Sequence, residues 1–379
     1  MNENSKRSIN FIELLKNNSV PIMFVVICAV CIPLSGFSPS YLFNEIMTRI
    51  GRNSFLILSL LIPIMAGMGL NFGMTLGAMA GEIGLILVCD WQIVGIPAMV
   101  LAIIISIPIA IGLGVFCGKI LNMAKGREMI TSYIMSFFIN GIYQLVVLYM
   151  MGSIIPIKHT TIKLPRGYGI RNTVSLLSMR QKLDKLIPLK LFGADIPVMT
   201  FIIVAILCFF IIWFRKTKLG QDMRAVGQDM QVAGDAGIDV ERTRIISIVI
   251  STILADIGMV IYLQNMGNIA TYSSHSQIGM FCIAALLVGG ASVDRASIGN
   301  VFLGVTLFHM MFIVAPAAGA KITGDSMLGE YFRVFVSYAV ITVALVMYET
   351  KKRRARSQVG EQLRLEQELS DKKQEAAQV

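Results

Sequence analysis

A chain of 379 residues that is 55% hydrophobic, with a mean hydropathy of +0.71, is too apolar for an ordinary soluble domain, where about 45–50% of residues are apolar. The formal net charge of +10 raises nucleic acid as a partner, but the basic residues lie mostly in polar segments beside apolar runs. That is the pattern of retention on one side of a membrane, not of a phosphate-binding stripe, so the composition sets aside a soluble domain and a nucleic-acid binder in favour of an integral membrane protein.

Residues 1–19 are polar and carry Lys6, Arg7 and Lys16, and an apolar run follows from Val20 to Phe37. No small-x-small cleavage site follows that long run, so it reads as an uncleaved first span with the amino terminus inside. Further spans are expected at 54–70, 73–89, 93–118, 129–151, 196–214, 245–265, 277–292, 297–315 and 331–349, making about ten within a membrane domain over 20–349. The fold class is therefore all-α, with glycine-rich broken helices. An even number of spans puts both termini on one side. Of the 33 lysines and arginines, 21 then fall in inside segments, which makes both termini cytoplasmic.

The third span carries Gly69, Gly73, Gly77 and Gly81, each four residues from the last. That spacing predicts a groove along one helix face where a neighbouring backbone comes close. Beside it, Asn71, Phe72 and Thr75 offer an amide, an aromatic face and a hydroxyl to a polar solute. Glu82 lies deeper and is either a pathway group or a carboxyl paired across the bundle. Asn140 and Gln144 share a face of the fifth span and serve either one solute or helix-to-helix hydrogen bonds.

The segment 152–195 holds eight basic residues and four prolines lie at or near it; it is expected outside, as a small amphipathic cap. Between two apolar spans, 215–244 reads as a cytoplasmic loop. In it Asp229 caps a short helix from Met230 to Ala236, Gly237 stops it in the left-handed conformation, and Ile238 supplies the following apolar contact. Gly227, Ala233, Gly234 and Ala236 leave its surface low. In the seventh span Asp256 either selects the solute or bonds Ser251 or Thr252 in its own helix. The scattered histidines and the cysteines offer no metal-ligand spacing, and Gly112, Gly118 and Lys119 fail the spacing of a phosphate-binding loop. Residues 350–379 read as a charged cytoplasmic tail.

The run R-A-V-G-x-x-x-x-x-A-x-x-A-G-I from Arg224 to Ile238, which includes Ala225, resembles the cytoplasmic coupling loop of the simple-sugar and nucleoside permeases of ABC importers, the ribose permease type. GLNFGMTLGAMAGEIG stands at the place of that family's GGIDLSVG signature, with Gly73 where the sugar permeases usually have Asp. AALLVGGASVDRASIGNVFLG resembles its later glycine-rich turn, in which Gly289 and Gly290 match packing positions. The resemblance implies a permease subunit and not an enzyme, with no catalytic residue, metal or cofactor of its own. It implies an ABC ATPase subunit that binds ATP and magnesium, an extracytoplasmic solute-binding protein, a second permease chain as homodimer or heterodimer, and alternating access in the plasma membrane. A rival reading is an ion-coupled secondary transporter using Glu82 and Asp256.

Overall fold

The computed structural model describes residues 19–191, 194–325 and 327–335, together with five positions between 338 and 350. The polar amino-terminal segment up to residue 18, most of the expected span 331–349 and the tail from Lys351 lie outside the described residues. In chain order the helices are α1 (Ser19–Ser35), α2 (Pro39–Ser59), α3 (Leu61–Met65), α4 (Met74–Asp90), α5 (Gly95–Met123) and α6 (Glu128–Leu145), with a π-helical turn at Val146–Met150. They continue as α7 (Val198–Phe214), α8 (Lys218–Gln228), α9 (Met230–Asp235), α10 (Val240–Met266), α11 (Ser274–Val288) and α12 (Ile298–Thr323). The chain is helical again at 327–335.

Among the described residues, α5, α10, α12 and α6 with its π turn are long and apolar enough to cross a membrane. A fifth span is added if α7 and α8, which meet at a bend of 74°, are counted as one. The expected second span at 54–70 is corrected. Its helix begins at Pro39, where Ser38 accepts a hydrogen bond from the Tyr41 amide at 3.3 Å and proline at the first position costs no backbone bond. It ends at Ser59, and the chain then breaks twice before α4. Polar residues in its first half hide it from a hydropathy reading, and the structure accounts for them: Glu45 pairs with Arg49 at 3.4 Å, and Arg52 donates to Asn265 at 3.0 Å.

The glycine ladder is likewise not one helix face. Gly69 lies in the break with φ +68°, Gly73 is the N-cap of α4, and only Gly77 and Gly81 are helical. Those two face α10. A Cβ at Gly77 would lie 2.9 Å from the Thr252 carbonyl carbon, and one at Gly81 would lie 2.9 Å from the Asp256 carbonyl oxygen. Small residues therefore set the backbone approach of α4 and α10 as the spacing predicts, over a shorter length. The buried core is built around these helices and α5, with α12 packing on α1 and α2.

The fold is not wholly helical. β1 (Thr173–Ser175) pairs antiparallel with β4 (Asn268–Ala270), with Val174 opposite Ile269, and β2 (Pro188–Leu191) pairs antiparallel with β3 (Ala194–Pro197). The segment 152–195, expected as a small amphipathic cap, takes the form of a strand-and-turn layer held by side-chain anchors. Asp90 accepts from the Lys158 and His159 amides at 2.7 Å each, and Asp184 accepts from Thr200, Gln264 and Asn265. These contacts mark one end of the bundle. At the other end the 66–69 turn, the α5–α6 turn, the 215–244 loop and the turn after α11 come together: Gly67 backs onto Gly227, Glu128 meets Arg244, and Gly69 abuts Val293.

Candidate functional site

The interruption between α3 and α4 builds the first part of the site. Gly67 and Gly69 take positive φ there, which reverses the chain inside the protein and exposes backbone groups that need partners. Asn71 accepts from the Gly73 amide at 2.8 Å, and the Phe72 amide donates to Ser132 on α6 at 3.1 Å. Thr75 donates to the Phe72 carbonyl at 2.8 Å and shares a 2.6 Å hydrogen bond with Ser136. Phe72 meets Tyr133 edge-on at a centroid distance of 4.9 Å. A cavity of about 390 Å³ lies against Phe72, Thr75, Tyr133, Ser136, Gln277 and Phe281. Aromatic faces beside hydroxyls and an amide are the lining a small polar ring solute requires, and the volume is within the usual range for such sites. Of the expected pathway residues, Phe72 and Thr75 line this cavity, whereas Asn71 is buried and caps the break.

Farther along the same three helices a polar cluster is buried. Glu82 Oε2 accepts from the Tyr143 hydroxyl at 2.9 Å and lies 2.9 Å from His275 Nδ1, whose Nε2 is 2.9 Å from Asn140 Oδ1. Gln144 donates to Asn140 at 3.5 Å and to the Tyr272 carbonyl at 3.4 Å, both long. The structure therefore brings together Glu82, Asn140 and Gln144 and adds Tyr143 and His275. Side-chain bonds of this kind between membrane helices contribute about 0.6 kcal/mol each on average and up to about 1.7. Tyr143 was legible as the position three beyond Asn140 on one helix face. Nothing local marks His275, 193 residues from Glu82 in the chain.

Asp256 stands apart from this cluster. It is fully buried, and its Oδ2 accepts from Ser106 on α5 at 2.9 Å. The expected bonds to Ser251 or Thr252 are corrected, because those hydroxyls donate instead to the Ser59 carbonyl and to the Ala110 and Val249 carbonyls. Gly289 and Gly290 end α11, where Asn300 donates to the Gly289 carbonyl at 2.7 Å and Gly290 takes φ +81°.

In the 215–244 loop, the caps expected around the short helix are present. Asp229 accepts from the Gln231 and Val232 amides at 2.8 and 3.1 Å. Gly237 has φ +84°, its amide bonds the Gly234 carbonyl, and the Ile238 amide bonds the Ala233 carbonyl. This is the paired 5→2 and 6→1 pattern that closes a helix at a left-handed glycine. Ala233 departs from expectation: it is 3% exposed and faces its own chain, while Val232 is 64% exposed and stands outward with Ala236. The longer helix α8 had no counterpart in the sequence reading. It places Arg224 outward, leaves Ala225 half-buried and seats Gly227 on the 66–67 turn. Arg215, Arg224 and Arg295 edge a cleft of about 760 Å³ beside that contact. At the root of the loop, fully buried Arg244 donates to Glu128 at 2.6 Å, and its Nη1 lies 2.7 Å from Met230 Sδ. Glu241 meets Lys125 at 3.3 Å, an exposed pair that contributes little.

The model of the family described as branched-chain amino acid transport system / permease component matches residues 42–345. The chain is 25% identical over 313 residues to the nucleoside ABC transporter permease protein NupB of Lactococcus lactis, covering 80% of this chain and 79% of that one. It is 26% identical to the xylose/arabinose import permease protein XylH of Sulfolobus acidocaldarius, over 68% of this chain and 62% of the relative. It is 24% identical to the autoinducer 2 import system permease protein LsrD of Photorhabdus luminescens, over 62% and 63% of the two chains. No solved structure matches.

Proposed function

Since the chain belongs to the branched-chain amino acid transport system / permease component family, as an ABC importer permease and not an enzyme, we propose that it carries a small polar ring solute, a nucleoside or a sugar. The relatives' names support that class, as does the cavity beside Phe72, Thr75 and Ser136. The carrying step is alternating access driven by a separate ATPase subunit that binds ATP and magnesium. The helices pass the plasma membrane ten times. The 215–244 end and both termini face the cytoplasm, and the 152–195 layer faces outward, where a solute-binding protein delivers the solute. A second permease chain completes the path.

The observation that carries the reading is the short helix α9, held by caps at both ends with an apolar side chain, Val232, left 64% exposed on a polar loop. A six-residue helix is marginal alone, and its fixed presentation of Val232 suits a groove in another protein. Arg224, Ala225, Gly227 and the cap residues Asp229, Gly237 and Ile238 set that presentation, with Ala236 on its outer surface. Ion coupling through Glu82 and Asp256 is not favoured, because the family and the relatives are transport permease subunits of ABC importers. The test is Val232→Arg. The variant reaches the membrane at the wild-type level but fails to co-purify with its ATPase subunit; normal co-purification with normal uptake contradicts the docking surface.

A further inference from the structure

Helix α6 is attached to the rest of the bundle differently from its neighbours. Its outer side is bare, with Ile134 and Phe138 each 62% exposed. Its inner side is held by side-chain hydrogen bonds at successive turns. Ser132 bonds the Phe72 amide, Ser136 bonds Thr75, Asn140 meets His275 and Tyr143 bonds Glu82. Residues 132, 136, 140 and 143 form one stripe at helical spacing, and every partner belongs to the chain segment of α4 or to α11. The α4–α10 contact is instead backbone against backbone, closed by Gly77 and Gly81. A close-packed seam of that kind resists sliding, whereas hydroxyls and amides along a stripe can exchange one set of partners for another.

The base of α6 is also tied to the short loop helix. Glu128 in its first turn takes the buried Arg244 guanidinium at 2.6 Å, and the other terminal nitrogen of Arg244 lies 2.7 Å from the sulfur of Met230, the first residue of α9. Arg244 thus touches both the helix that meets the ATPase and the helix that lines the cavity.

We propose that α6 is the moving wall of the solute path and that Arg244 and Glu128 are positioning residues that transmit displacement of α9 to it. This rests on the ATP-driven reading above. When α9 shifts, Arg244 draws the foot of α6, the stripe from Ser132 to Tyr143 changes partners, and the cavity between Thr75 and Ser136 opens. The two-state element is the α6 stripe, which the loop biases from one end and solute from the other.

Two variants of the assembled, reconstituted transporter test this. Glu128→Gln is expected to lower the solute imported per ATP hydrolysed by about five- to tenfold. An unaltered ratio, including one in which import and hydrolysis decline in step with assembly, overturns the proposal. Where Glu128→Gln does not assemble, Met230→Leu, which removes the sulfur that Arg244 touches, is expected to lower the same ratio, and an unaltered ratio there overturns it. The wild-type transporter is the reference in both arms, so failure of the importer reading appears there, and failure of this inference appears only in the variants.

Discussion

Gly77→Ala tests the seam on which the bundle is assembled. The added Cβ falls on the Thr252 carbonyl oxygen and lies 2.9 Å from the carbon of that carbonyl and 3.0 Å from the Ala255 Cβ. Two of these atoms are backbone, so no rotamer change relieves the overlap, and α4 has to move off α10. Overpacking of this kind costs about 1–3 kcal/mol. The control is Gly112→Ala, also in a helix, where a Cβ meets nothing within 4 Å. There only the gain from replacing glycine in a helix remains, about 0.5–1 kcal/mol. Gly77→Ala carries the same gain, so the two variants should differ by the overpacking term, about 1–3 kcal/mol, read as separated thermal unfolding midpoints of the purified proteins in detergent. Coincident midpoints would refute a fixed α4–α10 seam.

Asp229→Ala removes both cap bonds of α9, at a cost of about 1 kcal/mol, and should speed amide exchange over 230–235; unaltered exchange there would show that packing alone holds the helix. His275→Ala leaves Glu82 and Asn140 each short of a partner, at about 1–3 kcal/mol, and a thermal midpoint equal to wild type would show that the cluster is not structurally engaged. Glu82→Gln, about two helical turns beyond Thr75 on α4, should alter solute preference in competition uptake, whereas Asp256→Asn keeps a partner for Ser106 and should not. Equal selectivity changes in both would contradict their separation. Ala233→Arg, unlike Val232→Arg, is expected to lower the permease's own stability because residue 233 is 3% exposed; a normal midpoint would place that side chain outward.

Features fixed by local chemistry were the ones legible in the sequence. The cap at Asp229 and the stop at Gly237 depend on a few neighbouring residues, and the expected 73–89 span becomes Met74–Asp90. Helix α2 was missed because Glu45, Arg49 and Arg52 depress its hydropathy, although each finds a partner within the fold. The glycine ladder misled because equal spacing does not reveal that the chain is broken at 66–73. His275 acquires its meaning only from partners more than a hundred residues away, and Arg244 finds its ion-pair partner Glu128 at a like separation. The orientation of Ala233 followed from what α9 packs against, which a six-residue helix does not encode by periodicity.

The central claim, that transport is driven by ATP through a partner subunit, is tested most directly by uptake in proteoliposomes holding the assembled transporter. Labelled nucleoside and, separately, labelled xylose are supplied with the binding protein outside and ATP inside, while a protonophore and ionophores collapse every ion gradient. Uptake of at least one solute class should persist under collapse and stop when ATP is withheld. Uptake that survives without ATP but disappears when the gradients are collapsed would contradict the account.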